Sequence, residues 1–246
     1  MVDLAFTDVR AAALYDIVNP WGPSYRYYLD RVMAAGSALD IGCGTGRVLR
    51  CARAAGHRGD LVGVDPADGM LAEAVRAGPC VEWVHGDVRS LALGRKFALV
   101  TMTGHAFQLL LDDDDVLAAL RVMRDHVAKG GRVVFETRNP HARAWTGWTP
   151  EQSRRIVRER AGGDVEVFHT LRGESPPDLV HFTTTFRFLD DGQELESGST
   201  LRFVRPDRLR DLVRWAGLVL EDTHGDWDGS VAGPNTPEFI VIARPA

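Results

Sequence analysis

The chain has 246 residues and a formal net charge of −5, a length that suits one domain or one domain with a cap. Its 45% apolar and 26% charged residues exclude a collagen-like or fully disordered chain, and its acidic balance excludes the basic surface of a general nucleic-acid-binding protein. No apolar run reaches the length of a membrane span, and the first residues lack the basic segment of a signal peptide. We therefore expect a cytoplasmic protein that binds neither membranes nor nucleic acid.

The three cysteines form no CxxC pair, and their odd number argues against a disulfide framework. No set of histidines, cysteines and carboxylates has the spacing of zinc or non-haem iron ligands. We expect no metal site.

Strand and helix patterns alternate over the first 140 residues. The predicted strands are Ser37–Gly42, Leu61–Asp65, Val81–His85, Phe97–Thr103 and Arg132–Thr137. The predicted helices between them are Arg47–Gly56, Asp68–Ala77 and Asp112–Lys129. This alternation predicts a parallel sheet covered by helices.

Two of these helices carry end signals. Asp68 is the predicted N-cap of its helix, and Lys129 followed by Gly130-Gly131 predicts the end of the longest one.

After Pro140 the pattern changes to strands joined by short turns, which predicts an antiparallel meander. The predicted strands are Arg154–Arg160, Asp164–Leu171, Leu179–Leu189 and Gln193–Val204. A predicted helix over Arg205–Ala216 and two closing strands, Val219–Thr223 and Phe239–Ala243, follow.

A glycine-rich segment, ALDIGCGTG over residues 38–46, joins the first strand to its helix. Gly42, Gly44 and Gly46 follow Asp40 with GxGxG spacing, which allows positive φ and a close approach of a ligand to the backbone. The dinucleotide fingerprint GxGxxG would require a third glycine at the position of Arg47. The loop therefore favours a nucleotide ligand of another kind, and an NAD(P)-dependent oxidoreductase stays as an alternative.

Acidic residues also end the next two strands. Asp65 ends the second strand, where a carboxylate can accept hydrogen bonds from both ribose hydroxyls. Asp87 follows the third strand and could accept from an adenine amino group, while Val88 offers its backbone amide. The carboxyl ends of parallel strands meet at one crevice, so these groups are expected to surround one ligand.

Residues 38–140 resemble class I S-adenosylmethionine-dependent methyltransferases. The matching segments are ALDIGCGTGRVL (38–49), VGVDPADGML (62–71), GDVRSL (86–91), FALVTMTGHAFQLL (97–110) and KGGRVVFETRNP (129–140). The resemblance implies a doubly wound, Rossmann-like α/β sheet with an inserted antiparallel β meander. It also implies S-adenosyl-L-methionine as the cofactor and S-adenosyl-L-homocysteine as its product.

The same resemblance implies a division of the chain. Residues 1–35 form an N-terminal helical lid, residues 36–140 and 205–246 form the cofactor-binding α/β domain, and residues 141–204 form a β cap on the substrate side. The cap resembles that of small-molecule methyltransferases, including glycine and amino-sugar N-methyltransferases. We also expect a homodimer formed through this cap.

The resemblance assigns cofactor contacts to residues at the strand ends and on the lid. Asp40, Gly42, Gly44 and Gly46 surround the methionine part, and Asp65 takes the ribose hydroxyls. The remaining assignments are Pro66, Met70, Asp87 and Val88 to adenine and Met102 to the cofactor in general. Tyr15 is expected to close over the sulfonium as an aromatic lid, with Trp21 and Tyr28 as further candidates; helix packing is the alternative role for all three.

Candidate acceptor residues follow the fourth and fifth strands and lie in or beside the cap. His105 is the candidate general base, and a locally hydrogen-bonded structural histidine is the alternative. Arg138 either anchors a substrate carboxylate or pairs with an acid of the cap. Trp145 and Trp227 either wall the substrate pocket or pack cap against core.

Together these features predict an enzyme that moves a methyl group from S-adenosylmethionine to an oxygen or nitrogen of a small molecule. A non-catalytic S-adenosylmethionine-binding protein is the second alternative. It would keep the glycine loop and lack the acceptor pocket.

Overall fold

The computed structural model describes residues 2–78, 80–160 and 162–246. Three helices precede the first strand: α1 (Leu4–Thr7), α2 (Val9–Val18) and α3 (Pro23–Ala34). The Asp8 carboxylate starts α2 by accepting hydrogen bonds from the backbone N–H groups of Arg10 and Ala11, a standard N-cap. Pro23 starts α3, where its missing N–H costs nothing.

Strands and helices then alternate as predicted. The elements are β1 (Ala38–Ile41), α4 (Arg47–Ala54), β2 (Leu61–Asp65), α5 (Asp68–Ala77), β3 (Glu82–His85), β4 (Phe97–Met102), α6 (Asp113–His126) and β5 (Val127–Arg138). The strands β1 and β2 are buried along their whole length, which explains their continuous apolar pattern.

Both predicted helix ends were wrong. Helix α6 ends at His126, whose buried ring accepts a hydrogen bond from the Leu93 backbone N–H, and Val127 already pairs with β4. Gly130 has a φ of 80°, and a Cβ at Gly131 would lie 2.6 Å from the Ala98 carbonyl oxygen. The two glycines therefore form part of a bulge in β5 and do not end the helix.

The N-cap of α5 is Ala67, and Asp68 makes no capping hydrogen bond. The Ala67 N–H is instead taken by the Asp65 carboxylate, at 2.9 Å.

The rest of the chain forms the cap and closes the main sheet. A short helix, α7 (Pro150–Ser153), precedes β6 (Arg155–Arg158), β7 (Asp164–Ser175), β8 (Leu179–Phe188) and β9 (Glu194–Arg202). Helix α8 (Pro206–Trp215) and the strands β10 (Leu218–His224) and β11 (Glu238–Pro245) follow. Short 3-10 helices cover Ala106–Leu109, Pro140–Ala142 and Ala144–Gly147.

The structure contains a seven-stranded sheet in the order β10-β11-β5-β4-β1-β2-β3 and a four-stranded sheet in the order β6-β7-β8-β9. Strands β1 to β5 are parallel, β11 is antiparallel to β5 and β10, and the four-stranded sheet is antiparallel throughout. The predicted α/β fold with an inserted antiparallel β meander is thus confirmed.

The order in which the chain adds strands to the main sheet reverses between β1 and β4, which are parallel neighbours. From β1 the chain proceeds outward through β2 to β3, and it then returns to the other side of β1 through β4 and β5. A crevice opens at the carboxyl ends of the strands at such a switch point. In the described part of the chain, no helix combines the length and apolarity needed to cross a membrane.

Helix α2 lies between the two sheets. Its buried Leu14 and Val18 pack with Val167 and Phe186 of the four-stranded sheet, and Asp16 on its opposite face contacts the glycine loop. The packing of α2 on the cap and on α5 therefore places Tyr15 beside the crevice.

Candidate active site

The glycine loop has the strained backbone that its sequence predicts. Gly42, Gly44 and Gly46 have φ values of 69°, 55° and 67°, in the left-handed region that side chains disfavour. A Cβ at Gly46 would lie 2.0 Å from the Trp83 ring, so this glycine lets the loop pack on β3. A Cβ at Gly42 would lie 2.8 Å from Ala106. Gly42 and Gly44 line the crevice, and a Cβ at Gly44 would meet only the Met70 sulfur, at 3.9 Å.

A cleft of about 680 Å³ lies between this loop, the ends of β2, β3 and β4, and helix α2. Most of the predicted cofactor residues line it: Tyr15, Gly42, Gly44, Asp65, Pro66, Met70, Asp87, Val88 and Met102. Asp40 and Gly46 are not part of the lining. The cleft has the size and the mixed polar and apolar walls of a small-ligand site.

Asp65 lines the cleft and is held in place by backbone N–H groups. Its Oδ2 accepts a hydrogen bond from the Gly44 N–H at 2.8 Å, and its Oδ1 accepts the Ala67 N–H at 2.9 Å. Burial raises the pKa of this carboxyl, and the two backbone hydrogen bonds oppose the rise. A carboxylate has about four acceptor sites, so Asp65 can still accept from a ligand.

Asp87 is engaged by a residue that the sequence analysis did not single out. Arg89 donates to both of its carboxylate oxygens and also contacts Asp115 Oδ2 at 3.2 Å. The Arg89 guanidinium lowers the pKa of Asp87, which keeps that carboxylate ionised. Arg89 itself lines the cleft. Its position two residues after Asp87 is the only sequence signal that could have indicated it.

Asp40 ties β1 to β4 beneath the cleft. It is 1% exposed, and its two carboxylate oxygens accept hydrogen bonds from Thr101 Oγ1 at 2.8 Å and Thr103 Oγ1 at 3.2 Å. Burial raises the pKa of Asp40 to about 7, although the two threonines oppose this.

Among the three aromatic lid candidates, Tyr15 lines the cleft. Its ring meets Phe6 edge-on, with 6.3 Å between ring centroids, and burial raises its pKa, so the phenol stays neutral. Trp21 stacks on Tyr25 at 5.3 Å, outside the cleft lining. Tyr28 is buried, and its hydroxyl donates to Glu136.

His105 is the centre of a buried acidic network. It has a φ of 61°, which is unusual for a residue with a side chain, and its backbone N–H donates to Glu136 Oε1 at 2.7 Å. Its ring Nε2 lies 3.0 Å from Glu238 Oε1. The Trp227 ring lies beside it, with 6.4 Å between centroids. Two glutamates thus hold His105 in a conformation that the backbone alone disfavours.

Arg138 lies two residues after Glu136 in β5 and pairs with Glu238 of β11. Its Nη1 donates to Gln108 Oε1 at 2.8 Å, and its guanidinium lies 5.8 Å from the Trp148 ring centroid. Burial lowers its pKa, and the nearby Glu238 and Glu136 oppose that effect. No acid of the described part of the cap forms an ion pair with it.

Trp145 packs against Phe203 with 4.4 Å between ring centroids, inside the apolar cluster at the base of the cap. Its indole Nε1 has no hydrogen-bond partner among the described residues. It lies outside the cleft lining, whereas Trp227 adjoins His105.

Comparisons with known proteins identify the family. Residues 38–131 match a family model described as a methyltransferase domain. The cypemycin N-terminal methyltransferase of a Streptomyces species is 32% identical, over 98% of this chain and 98% of its own length. The chain belongs to the S-adenosylmethionine-dependent methyltransferases. This membership excludes the oxidoreductase alternative.

Another relative of this methyltransferase is the Streptomyces venezuelae dTDP-3-amino-3,4,6-trideoxy-alpha-D-glucopyranose N,N-dimethyltransferase. It is 31% identical over 62% of this chain, and the match spans 63% of the relative. Among solved structures, Streptomyces venezuelae DesVI superimposes over 100% of both chains with a TM-score of 0.73 and 24% identity. That likeness confirms the fold of the methyltransferase.

The cofactor of the methyltransferase is S-adenosylmethionine, and the cleft fits it. The glycines leave backbone groups open where side chains would fill the space, and Asp65 keeps acceptor sites for hydroxyls. Pro66 and Met70 provide apolar surface for a base, and Tyr15 provides an aromatic face for a sulfonium. The individual contacts remain predictions.

The buried Asp40 should make the stability of the methyltransferase depend on pH. Its pKa is about 7 in the folded protein, above the ordinary 3.8 expected in the unfolded chain. The stabilisation linked to its proton is therefore complete below about pH 4 and is lost as the pH rises through about 7. We expect Asp40→Asn to remove this loss, which is on the order of 3 kcal/mol between pH 5 and pH 8.

Urea unfolding of the ligand-free protein at pH 5 and pH 8 measures the effect. The difference in unfolding free energy between the two pH values should shrink in Asp40→Asn relative to the natural chain. An unchanged difference would mean that Asp40 is ionised in the folded protein throughout this range.

Proposed function

We propose that this methyltransferase transfers a methyl group to an amine nitrogen of a small molecule. The observation that carries the proposal is the acidic network of Glu136, Glu238 and His105 at the carboxyl ends of β4 and β5 and the start of β11. Carboxylates favour a cationic ammonium group beside them and disfavour an anionic group in the same place. An amine is protonated near neutral pH, so it must also lose a proton before it can attack.

His105 is suited to take that proton. A carboxylate only accepts hydrogen bonds, so the contact with Glu238 favours the tautomer that carries its proton on Nε2. Nδ1 is then left unprotonated, and no described residue is hydrogen-bonded to it. A carboxylate that orients a basic histidine in this way is the arrangement of hydrolytic triads. We assign His105 as the general base and Glu238 as the group that orients it.

The other contribution of the site is positioning. S-adenosylmethionine supplies a methyl group on a sulfonium, which is already reactive toward an amine. Holding the nucleophile in line at about 3–3.5 Å is worth several kcal/mol of the barrier. Trp227, which lies beside His105, and Arg138, which pairs with Glu238 across the sheet, are the candidate walls for the acceptor.

The acceptor is proposed to enter between the two sheets. Gly198 and Thr200 of β9 line the cleft, and Trp148, which lies near Arg138, packs on Phe182 of β8 at 4.6 Å. These contacts support the assignment of residues 141–204 as a substrate-side cap. Phe6 and Tyr15, which line the same cleft, support that of residues 1–35 as a lid.

The relatives support nitrogen as the acceptor atom. One is an N,N-dimethyltransferase of an amino sugar, and the other is a peptide N-terminal methyltransferase. The second covers nearly the whole chain, which makes a peptide amino terminus the second candidate acceptor.

An acceptor panel tests the proposal. The panel pairs dTDP-amino sugars with the same sugars carrying a hydroxyl in place of the amine, and adds short peptides with free or acetylated N-termini. We expect S-adenosylhomocysteine release and a mass gain of one or two methylene units on amine-bearing members. Methylation confined to the hydroxyl sugars or to acetylated peptides would refute nitrogen transfer.

A further inference from the structure

Helix α2 is fastened to the cofactor loop on the side away from the cap. Asp16, next to Tyr15, accepts a hydrogen bond from Thr45 Oγ1 at 2.6 Å and forms an ion pair with Arg50 Nη2 at 2.7 Å. Both partners are half-buried, with side chains 15% and 18% exposed, so solvent screens this pair less than a surface ion pair. Arg50 Nε also donates to the Thr45 carbonyl at 2.9 Å, which attaches the loop to α4.

Arg47 closes the end of the same helix. Its Nη1 donates to the Asp16 carbonyl at 3.1 Å and to the Asn19 carbonyl at 2.6 Å. These are carbonyls at the C-terminus of α2, where a cation is favourable. The guanidinium also lies 5.1 Å from the ring of Tyr25, in the first turn of α3, and 5.8 Å from the ring of Trp21, which precedes that helix. We call Asp16, Thr45, Arg47 and Arg50 the clasp.

The clasp is continuous with the predicted ribose site. Gly44, which precedes Thr45, donates its N–H to Asp65. A series of hydrogen bonds therefore connects α2, through the loop, to the Asp65 carboxylate in the cleft. Tyr15 is next to the α2 end of this series, and Asp65 is its other end.

We propose that the clasp holds Tyr15 over the cofactor cleft and thereby sets how slowly the bound nucleoside leaves. Arg47 is a positioning residue in this arrangement, and it acts through Tyr15. Without the clasp, α2 would keep its apolar packing on the cap, through Leu14 and Val18, and on α5, through Ala12, but would lose its polar attachment to the cofactor loop. The proposal goes beyond amine methylation, because it concerns cofactor retention and can be tested with no acceptor present.

The first test compares Arg47→Gln with Arg53→Gln. Arg53 lies on the same helix and also donates to backbone carbonyls, those of His57, Gly59 and Cys80, none of which belongs to the lid. Stopped-flow displacement of S-adenosylhomocysteine gives the dissociation rate constant. We expect Arg47→Gln to raise it about tenfold and Arg53→Gln to leave it within about twofold. An unchanged rate constant in Arg47→Gln would overturn the proposal.

A double-mutant cycle tests whether Arg47 acts through Tyr15. Arg47→Gln should cost about tenfold in S-adenosylhomocysteine affinity in the natural chain and almost nothing in a Tyr15→Ala background. An equal cost in both backgrounds would show that Arg47 acts on the glycine loop directly and would overturn the proposal.

Hydrogen exchange provides a second readout that does not depend on the cofactor loop. Amides of residues 9–18 should exchange faster in Arg47→Gln than in Arg53→Gln, while those of β1 and β4 stay protected. Equal protection of residues 9–18 in the two variants would contradict a clasp. If Arg47→Gln does not fold, Asp16→Asn removes the ion pair to Arg50 and carries the same expectations.

Discussion

Replacing Asp65 by Asn is expected to weaken S-adenosylhomocysteine binding at least tenfold. Asp65 accepts two backbone N–H groups from the cofactor loop and the start of α5, and its remaining acceptor sites are predicted to take the ribose hydroxyls. Asparagine has only one acceptor oxygen, so its amide group must face either the Gly44 N–H or the Ala67 N–H. Charge-assisted hydrogen bonds of this kind are worth about 1.5–3 kcal/mol each.

Isothermal titration calorimetry measures the affinity, and urea unfolding measures a stability loss expected at about 1–3 kcal/mol. Asp68→Asn is the matched control, since this aspartate starts α5 and its side chain is 91% exposed. The control should keep both affinity and stability. If Asp65→Asn binds as tightly as the natural chain, the ribose does not lie at Asp65.

The parallel part of the fold was predictable because its strands are short, apolar and separated by helices of regular period. The predictions of the helix ends at Asp68 and Lys129 were wrong for local reasons that a single sequence does not reveal. A carboxylate two residues upstream took the N–H at the start of α5, and a buried His126 with a strand bulge replaced the expected glycine stop. Such ends depend on tertiary contacts, which no residue pattern encodes.

The cofactor side of the site was predictable because parallel strands end at one edge of the sheet. Residues that follow β1, β2 and β3 in the chain must meet there, and most of those predicted line the cleft. The cap contributes Gly198 and Thr200 to the same cleft, and the N-terminus contributes Asp3 and Phe6. These four residues belong to no motif. They reach the cleft only because the cap and the N-terminal helices fold over it.

The acceptor side was harder to predict, because its partners are distant in the chain. The contact of His105 with Glu238 joins residues 133 positions apart, and Glu136 is hidden in an apolar strand. Only the antiparallel pairing of β11 with β5 brings the two glutamates to the same edge. The predicted homodimer through the cap stays a prediction, which sedimentation of the purified protein would check.

The orienting role of Glu238 can be separated from that of the base. Glu238→Gln keeps a hydrogen-bonding side chain beside His105 Nε2 and removes the charge that favours one tautomer. Turnover should fall, by less than in a variant without His105, and the pH–rate profile should keep an acid limb. Glu238→Gln therefore serves as the reference for the His105 variant, because it keeps the base and changes only the group that orients it.

Replacing His105 by Gln is expected to lower turnover about 100-fold or more, with S-adenosylhomocysteine affinity within a few-fold of the natural chain. The side chain lies outside the cofactor lining, and glutamine keeps a polar group but cannot accept the proton of an ammonium. The acid limb of the pH–rate profile should disappear, because that limb reports a base that must be unprotonated. His57→Gln, which changes a buried histidine bonded to the Ala35 carbonyl, should lower stability and keep the acid limb. Full turnover with an unchanged acid limb in His105→Gln would leave positioning by Arg138 and Trp227 as the source of catalysis.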